Sequence, residues 1–184
     1  MVRHPLTGFL LCLFCTISSC QSESTTNFTA LSTAEQALEQ GDYALAETLL
    51  IRLLEELKTD ENRASALYYL GEVYRLQGQF EKAEPLFWQA LPMWAKSVGP
   101  THPDMAKGLT SLGYMYEARL EFRKAEPLVK QALKVREMAF GMDHPNIVPS
   151  LEQYAALLKR MNRPDEALAL TARGQTILAK QTHS

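Results

Sequence analysis

The chain has 184 residues, of which 46% are apolar and 22% charged, with 19 Lys and Arg against 21 Asp and Glu. This length suffices for one sizeable core, the apolar fraction argues against wholesale disorder, and a net charge of −2 argues against a nucleic-acid binder. Three cysteines are too few for a disulfide scaffold. All three cysteines, Cys12, Cys15 and Cys20, lie in the first twenty residues. The composition of the whole chain therefore conceals a boundary between this segment and the rest.

Residues 1–19 have the pattern of a secretory signal peptide. Arg3 and His4 precede a mostly apolar run over residues 6–17, and no acidic residue comes before Glu23. This run is too short to span a bilayer as a helix, which needs about 20 residues. The alternative is an N-terminal core helix, but proline and glycine interrupt the run and it shows no amphipathic period.

The sequence Ile-Ser-Ser-Cys at residues 17–20 resembles the lipobox of bacterial lipoproteins. The resemblance implies that the signal is removed before Cys20 and that the Cys20 sulfur is acylated. It also implies that Gln21 permits transfer to an outer membrane where the source has one. The alternative is cleavage by an ordinary signal peptidase, which gives a soluble secreted protein. Residues 20–29 are polar and Ser/Thr-rich, and we predict that they form a flexible tether.

The rest of the chain repeats itself with a period of 42 residues. Residues 64–105 align with 106–147 without a gap, and 17 of the 42 positions are identical. A third copy starts at Val148, and a weaker copy precedes the first two at a shorter offset. A period of this size signals stacked supersecondary units. We therefore predict one domain over 30–184, with repeats at about 28–60, 64–97, 106–139 and 148–181.

Each copy has the pattern of two helices. Apolar or small residues recur at i, i+3, i+4 and i+7 from Leu67 to Tyr74, Gly78-Gln79 breaks this pattern, and a second stripe starts at Ala83. Small residues at Gly71 and Ala83 are expected where the two helices cross. Neither helix buries its stripe alone, so neighbouring copies must stack to make a continuous core.

These positions resemble the tetratricopeptide repeat, which carries large, Leu, Gly/Ala, Tyr, Ala, aromatic and Ala residues at fixed offsets. The 42-residue spacing and the Gly-x-x-His-Pro connections are most similar to the long repeats of kinesin light chains. The fourth copy departs from the pattern at Thr171 and Gly174, and the first has alanines in place of larger residues. The resemblance implies an all-α fold, a right-handed superhelical solenoid of about four antiparallel helix pairs.

By the same resemblance, the first helices of the pairs line a concave groove for a protein or peptide partner. The groove positions are Tyr68, Tyr69, Glu72, Arg75, Thr110, Ser111, Tyr114, Glu117, Glu152, Gln153 and Lys159. Tyrosines and both signs of charge suit a polar protein segment. The alternative is that many of these are ordinary solvated residues. Kinesin-type relatives often have Asn at the positions of Tyr69, Ser111 and Gln153, so their ligand preferences are not carried over.

The histidines of the connections, His102 and His144, recur at one repeat spacing and could suggest a metal ladder or an enzyme. The structural interpretation is preferred, with Thr101 or Asp143 capping the next helix. The sequence shows no phosphate-binding loop and no nucleophile elbow. We therefore predict no metal, no cofactor and no enzymatic activity.

The last copy ends in a helix with apolar residues at Leu168, Leu170, Ile177 and Leu178, and only six residues follow this stretch. Repeat arrays usually end in a polar cap, so an uncovered edge could dimerise or dock a partner. The alternative is that the helix is already polar enough. Taken together, the sequence predicts a lipid-anchored scaffold for protein contacts in a bacterial envelope, with a soluble secreted module as the alternative.

Overall fold

The computed structural model describes residues 29–57 and 59–181, and their regular structure is entirely helical. The chain divides into an N-terminal unit that ends at Leu57 and a C-terminal unit that begins at Lys58. The predicted signal peptide, Cys20 and nearly all of the predicted tether lie outside the described residues. The helices are α1 (29–39), α2 (Tyr43–Glu56), α3 (Asp60–Leu76), α4 (Phe80–Ser97), α5 (Pro103–Ala118), α6 (Phe122–Phe140), α7 (Val148–Arg160, after a 3-10 turn at Pro145–Ile147) and α8 (Pro164–Gln181).

The N-terminal unit contains the helix pair α1 and α2. Asp42 caps α2, because its carboxylate accepts a hydrogen bond from the backbone N–H of Leu45 at 3.1 Å. Ala34 and Ala37 of α1 are buried, as are Ala46, Leu50 and Leu53 of α2. Of the three alanines that replace larger residues in this copy, Ala34 and Ala37 are therefore core residues, whereas Ala30 is partly exposed.

The C-terminal unit contains three helix pairs, α3–α4, α5–α6 and α7–α8. Within each pair the connecting turn is so short that the two helices run antiparallel. Helix α4 contacts α5 and α6 contacts α7, so the pairs stack in chain order. The all-α class and the solenoid of stacked pairs are confirmed. None of the helices among the described residues is long and apolar enough to cross a membrane.

The turn within each pair places one residue in the left-handed region. Gly78 has φ 74°, and the equivalent residues Leu120 and Asn162 have φ 61° and 60°. In the first of these turns the N–H of Gln79 donates to the carbonyl of Tyr74 at 2.8 Å, which closes the end of the helix. The predicted break at Gly78-Gln79 is confirmed. Leu120 adopts the same conformation at a cost of about 1–2 kcal/mol.

In the first two pairs of the C-terminal unit, a glycine of the first helix lies directly against a side chain of the second. A Cβ atom on Gly71 would lie 2.7 Å from Cε1 of Phe87, and one on Gly113 would lie 2.7 Å from Cγ2 of Val129. Real Cβ atoms do not tolerate such distances, so the side chain of the second helix occupies the space that a Cβ would fill. The prediction that small residues mark the crossing is confirmed at both glycines.

A glycine-to-alanine substitution at the crossing should destabilise the fold. We expect Gly113→Ala to lower the free energy of unfolding by about 1–3 kcal/mol, because the added methyl overpacks the contact with Val129. The matched control is Gly174→Ala in α8, where the nearest side-chain atom would be 3.6 Å away. That substitution should raise the free energy of unfolding by up to about 1 kcal/mol, from helix propensity alone. Urea denaturation followed by circular dichroism measures both, and equal stabilisation by the two would contradict the packing argument.

Candidate functional site

The first helices of the C-terminal unit present one continuous surface, which we call the first-helix face. Gln153 of α7 donates from Nε2 to the backbone carbonyl of Thr110 on α5 at 3.4 Å, and Ser111 of α5 lies close to the phenol of Tyr68 on α3. The predicted partner-binding residues supply this face: Tyr68, Tyr69, Glu72, Arg75, Thr110, Ser111, Tyr114, Glu117, Glu152, Gln153 and Lys159.

The aromatic part of the face is built around Tyr68. Its ring centroid lies 5.2 Å from that of Tyr69, 5.9 Å from Phe87 and 5.5 Å from Trp94. Burial raises the pKa of the Tyr68 phenol well above its usual range, so the hydroxyl is neutral at physiological pH. Tyr68 is therefore mainly a packing residue that joins the face to the core.

The charged residues of α3 neutralise each other. Arg75 donates to both carboxylate oxygens of Glu72, from Nε at 3.0 Å and from Nη2 at 2.8 Å. This two-bond geometry is the strong form of an arginine–carboxylate pair. The pair leaves the α3 part of the face without net charge.

The polar residues of α5 and α7 are more buried than their predicted role suggests. Ser111, Gln153 and Glu117 are 4–6% exposed. Arg160 donates from Nη1 to Oε2 of Glu117 at 3.2 Å and from Nη2 to the Glu117 carbonyl at 3.1 Å. The other carboxylate oxygen, Oε1, is buried and has no hydrogen-bond partner among the described residues. Burial raises the pKa of the Glu117 carboxyl, and Arg160 opposes that effect.

Three predicted positions are open to solvent. Tyr114 is 47% exposed, and Glu152 and Lys159 are also exposed. These side chains can contact a partner without rearrangement of the helices. The binding role of the face as a whole stays a prediction.

Arg136 and Ser150 belong to this region but are not among the predicted residues. Arg136, on α6, donates from Nη1 to Oγ1 of Thr110 at 3.3 Å and to the hydroxyl of Ser150. Only first-helix positions were predicted, and Arg136 lies on a second helix. The repeat register could identify Arg136 as unusual, because this arginine stands 42 residues after Trp94, at the equivalent position of the preceding copy.

The two loop histidines act as helix caps. Nδ1 of His102 accepts from the backbone N–H of Asp104 at 3.3 Å, and Nδ1 of His144 accepts from that of Asn146 at 3.1 Å. The prediction that the preceding threonine or aspartate caps the next helix is wrong, because each histidine is itself the N-cap residue. No group of three or more His, Cys, Asp or Glu within the described chain could hold a metal ion.

The last helix has a mixed outer surface. Leu168 and Leu178 are 68% and 47% exposed, whereas Ile177 is buried. Arg173 pairs with Glu137 at 2.5 Å, and Lys180 with Asp143 at 2.8 Å. The predicted homo-oligomer contact through this repeat stays a prediction.

The sequence profile of the tetratricopeptide repeat matches residues 28–94 and 62–138, which together cover more than half of the chain. The chain belongs to the tetratricopeptide-repeat family. A comparison with curated proteins gives no match.

Solved structures similar to this tetratricopeptide-repeat chain include BtubC (BKLC) from P. vanneervenii, with a TM-score of 0.77 and 18% identity over 88% of this chain and 66% of that one. A candidate kinesin light chain of Podosopora anserina with nearly identical TPR-like repeats has a TM-score of 0.70 and 21% identity, covering 86% and 77%. MamA has a TM-score of 0.66 and 15% identity, covering 91% and 86%. At these identities the likeness shows the fold alone. The chain spans just under two thirds of BtubC.

The raised pKa of Glu117 predicts a pH dependence of stability. The folded state holds this proton more tightly than the unfolded state, so stability falls as pH rises from the ordinary carboxyl value of 4.5 through the raised folded value. Compared with Glu117→Gln, which does not titrate, the wild type should gain stability on going from pH 7 to pH 5. The melting temperatures of both proteins across this range measure the difference.

The control for this experiment is Glu152→Gln, which removes the same charge from an exposed position of α7. Its difference from wild type should change much less over the same range. A wild type that loses stability relative to Glu117→Gln as the pH falls would contradict the assignment.

Proposed function

We propose that this tetratricopeptide-repeat protein is a membrane-anchored scaffold of the bacterial cell envelope, which binds a protein segment on the first-helix face. The observation that carries the proposal is the composition of that face. It combines the exposed ring of Tyr114 with a buried carboxylate oxygen of Glu117 that has no hydrogen-bond partner among the described residues. It also includes an arginine, Arg136, whose partners there are hydroxyls. Aromatic and arginine side chains are enriched among the residues that dominate protein interfaces.

The anchor is proposed from the sequence. Cys20 would carry the lipid, and the few polar residues between it and α1 would hold the repeats close to the bilayer. One acyl chain binds membranes only marginally, and further acyl chains would make the attachment stable. In a Gram-negative source the proposed location is the periplasmic face of the outer membrane.

Binding is proposed in preference to catalysis. The histidines that motivate an enzymatic alternative each use Nδ1 to cap a helix, and this structural role explains their recurrence at the repeat spacing. The helical repeat itself is suited to protein contacts, because stacked helix pairs create extended surfaces.

Binding on the first-helix face can be tested with Tyr114→Arg. This change adds a long charged side chain at an exposed position of α5 and should remove bound partners without unfolding the chain. Proteins that co-purify with wild type from detergent-solubilised membranes should fall at least tenfold with Tyr114→Arg, as quantified by mass spectrometry. Gln131→Arg, at an exposed position of α6, is the control and should retain them. Equal recovery by both variants would exclude the face as the binding surface.

The lipid anchor can be tested by metabolic labelling with a palmitate analogue. We expect label on the wild type and none on Cys20→Ala, because only the cysteine at the cleavage site becomes the acylated N-terminus. Cys15→Ala removes another cysteine of the same segment and should keep the label. Label on Cys20→Ala, or none on wild type, would refute the anchor and favour a protein released in soluble form.

A further inference from the structure

Arg136 occupies a repeat position that the preceding copy fills with a core tryptophan. Trp94, 42 residues earlier, is 1% exposed. Its ring lies 5.5 Å from that of Tyr68, and a Cβ on Gly108 would lie 3.3 Å from the indole. A side chain at this position therefore lies between the first helix of its own pair, α3, and the first helix of the next pair, α5.

In the next copy the same three positions carry different chemistry. Arg136 replaces the tryptophan, Thr110 replaces Tyr68, and Ser150 replaces Gly108. The guanidinium donates from Nη1 to Thr110 at 3.3 Å and also to the Ser150 hydroxyl. An apolar contact between two pairs has thus been exchanged for a cation held by two neutral hydroxyls.

The guanidinium has no carboxylate partner within the described residues. Other arginines at pair junctions have one, as Arg119 has with Glu84 at 2.8 Å and Arg163 with Glu126 at 2.6 Å. A partly buried charge without a counter-charge is costly. Burial lowers the pKa of the Arg136 guanidinium, which nevertheless stays protonated at neutral pH.

Three of the five N–H donors of Arg136 are not used within the described residues. Both hydrogen bonds leave from Nη1, whereas Nε and Nη2 have no partner in the part of the chain that the structure describes. Neither atom belongs to the buried unpaired polar atoms of these residues, so both reach solvent. The N–H groups of Nε and Nη2 point in parallel along one edge of the guanidinium, and this edge matches the two oxygens of a carboxylate.

The surroundings of this edge do not compensate its charge. Among the described residues, the titratable groups that act on Arg136 are the phenols of Tyr68 and Tyr114. Burial raises the pKa of Tyr68, so its phenol is uncharged at neutral pH. The same phenols also act on Arg75, whose charge is already neutralised by Glu72. A positive charge with no counter-charge among the described residues is therefore left beside the hydroxyl groups that accept from Nη1.

We propose that the Nε–Nη2 edge of Arg136 binds the carboxylate of an Asp or Glu side chain in the protein segment that occupies the first-helix face. This inference rests on the proposed function and adds the chemical class of the partner, an acidic segment. Thr110 and Ser150 hold Nη1 and so orient the free edge. Tyr114, which is 47% exposed on α5, supplies an aromatic side chain to the same face.

The first experiment tests the edge without a peptide. The full-length chain in detergent, labelled with nitrogen-15 arginine, is titrated with glutamate capped as N-acetyl and C-amide, while the Arg136 Nε–H resonance is followed by NMR. The resonance is assigned by its loss in Arg136→Met. We expect a saturable shift with capped glutamate and none with capped glutamine. Equal shifts with both, no saturable shift, or saturation by inorganic phosphate at lower concentration would overturn the carboxylate assignment.

The second experiment tests the peptide. A random dodecapeptide library is selected on wild type, and selected peptides are compared with versions in which one Asp or Glu becomes the amide. We expect an acidic residue whose replacement weakens binding at least tenfold to wild type but less than about twofold to Arg136→Met. Arg136→Lys keeps the charge without the paired donors and should lie between the two. Arg123→Met, an exposed arginine on the same helix, is the control and should behave as wild type.

The outcomes separate the two proposals. If wild type selects no peptide, the proposed binding function fails, and the NMR titration still decides on the carboxylate at Arg136. If peptides are selected but the loss on amide replacement is the same for wild type and Arg136→Met, the function stands and this inference is overturned.

Discussion

The architecture of the C-terminal unit depends on one steric constraint, the close crossing of the two helices in each pair. Gly71 and Gly113 lack the Cβ that would collide with Phe87 and Val129, and the equivalent residue of α7 is the next smallest, Ala155. Because the second helix packs tightly against the first at this crossing, the apolar stripes of both helices are buried within and between pairs. The outward side of each first helix is then free to carry polar and aromatic residues. The first-helix face is a consequence of this packing.

The junctions between pairs repeat as regularly as the crossings. Glu84 of α4 accepts from the Tyr116 hydroxyl at 2.5 Å and from Arg119 at 2.8 Å. Its counterpart 42 residues later, Glu126, accepts from the Tyr154 hydroxyl at 3.2 Å and from Arg163 at 2.6 Å. Single ion pairs near a surface contribute little to stability, but a carboxylate that joins a phenol and a guanidinium from the next pair sets how the pairs align. Apolar burial therefore supplies most of the free energy of stacking, and these glutamates fix the register in which neighbouring pairs stack.

Features that recur with the period could be predicted from the sequence, and features that depend on contacts across helices could not. The helix pairs, the glycine crossings and the break at Gly78 follow from identities at a fixed spacing. The burial of Ser111, Glu117 and Gln153 depends on contacts between helices. The hydrogen bonds of Gln153 and Glu117 join residues 43 positions apart, and such contacts leave no local pattern in the sequence. His102 caps α5 because its ring Nδ1 accepts a hydrogen bond from the backbone N–H of Asp104, two residues further along the chain. This geometry favours His102 over Thr101 as the capping residue. Arg136 was predictable in principle, since its register places a charge where another copy has a core tryptophan.

One position carries a different residue in each of three copies, while the helix pairs keep the same fold. Trp94 is core, Arg136 is a cation on hydroxyls, and Leu178 is 47% exposed on the last helix. Burying a large aromatic side chain is worth about 1.5–3 kcal/mol, whereas an unpaired guanidinium in the same place costs free energy. Of these three copies, only one has the charged residue at this position. The crossing of α5 and α6 at Gly113 is the same as in the preceding pair, so the helices are not displaced. Because each pair contacts only its neighbours, the cost stays local. Stability supplied by the other pairs is what permits one junction to carry this unfavourable residue.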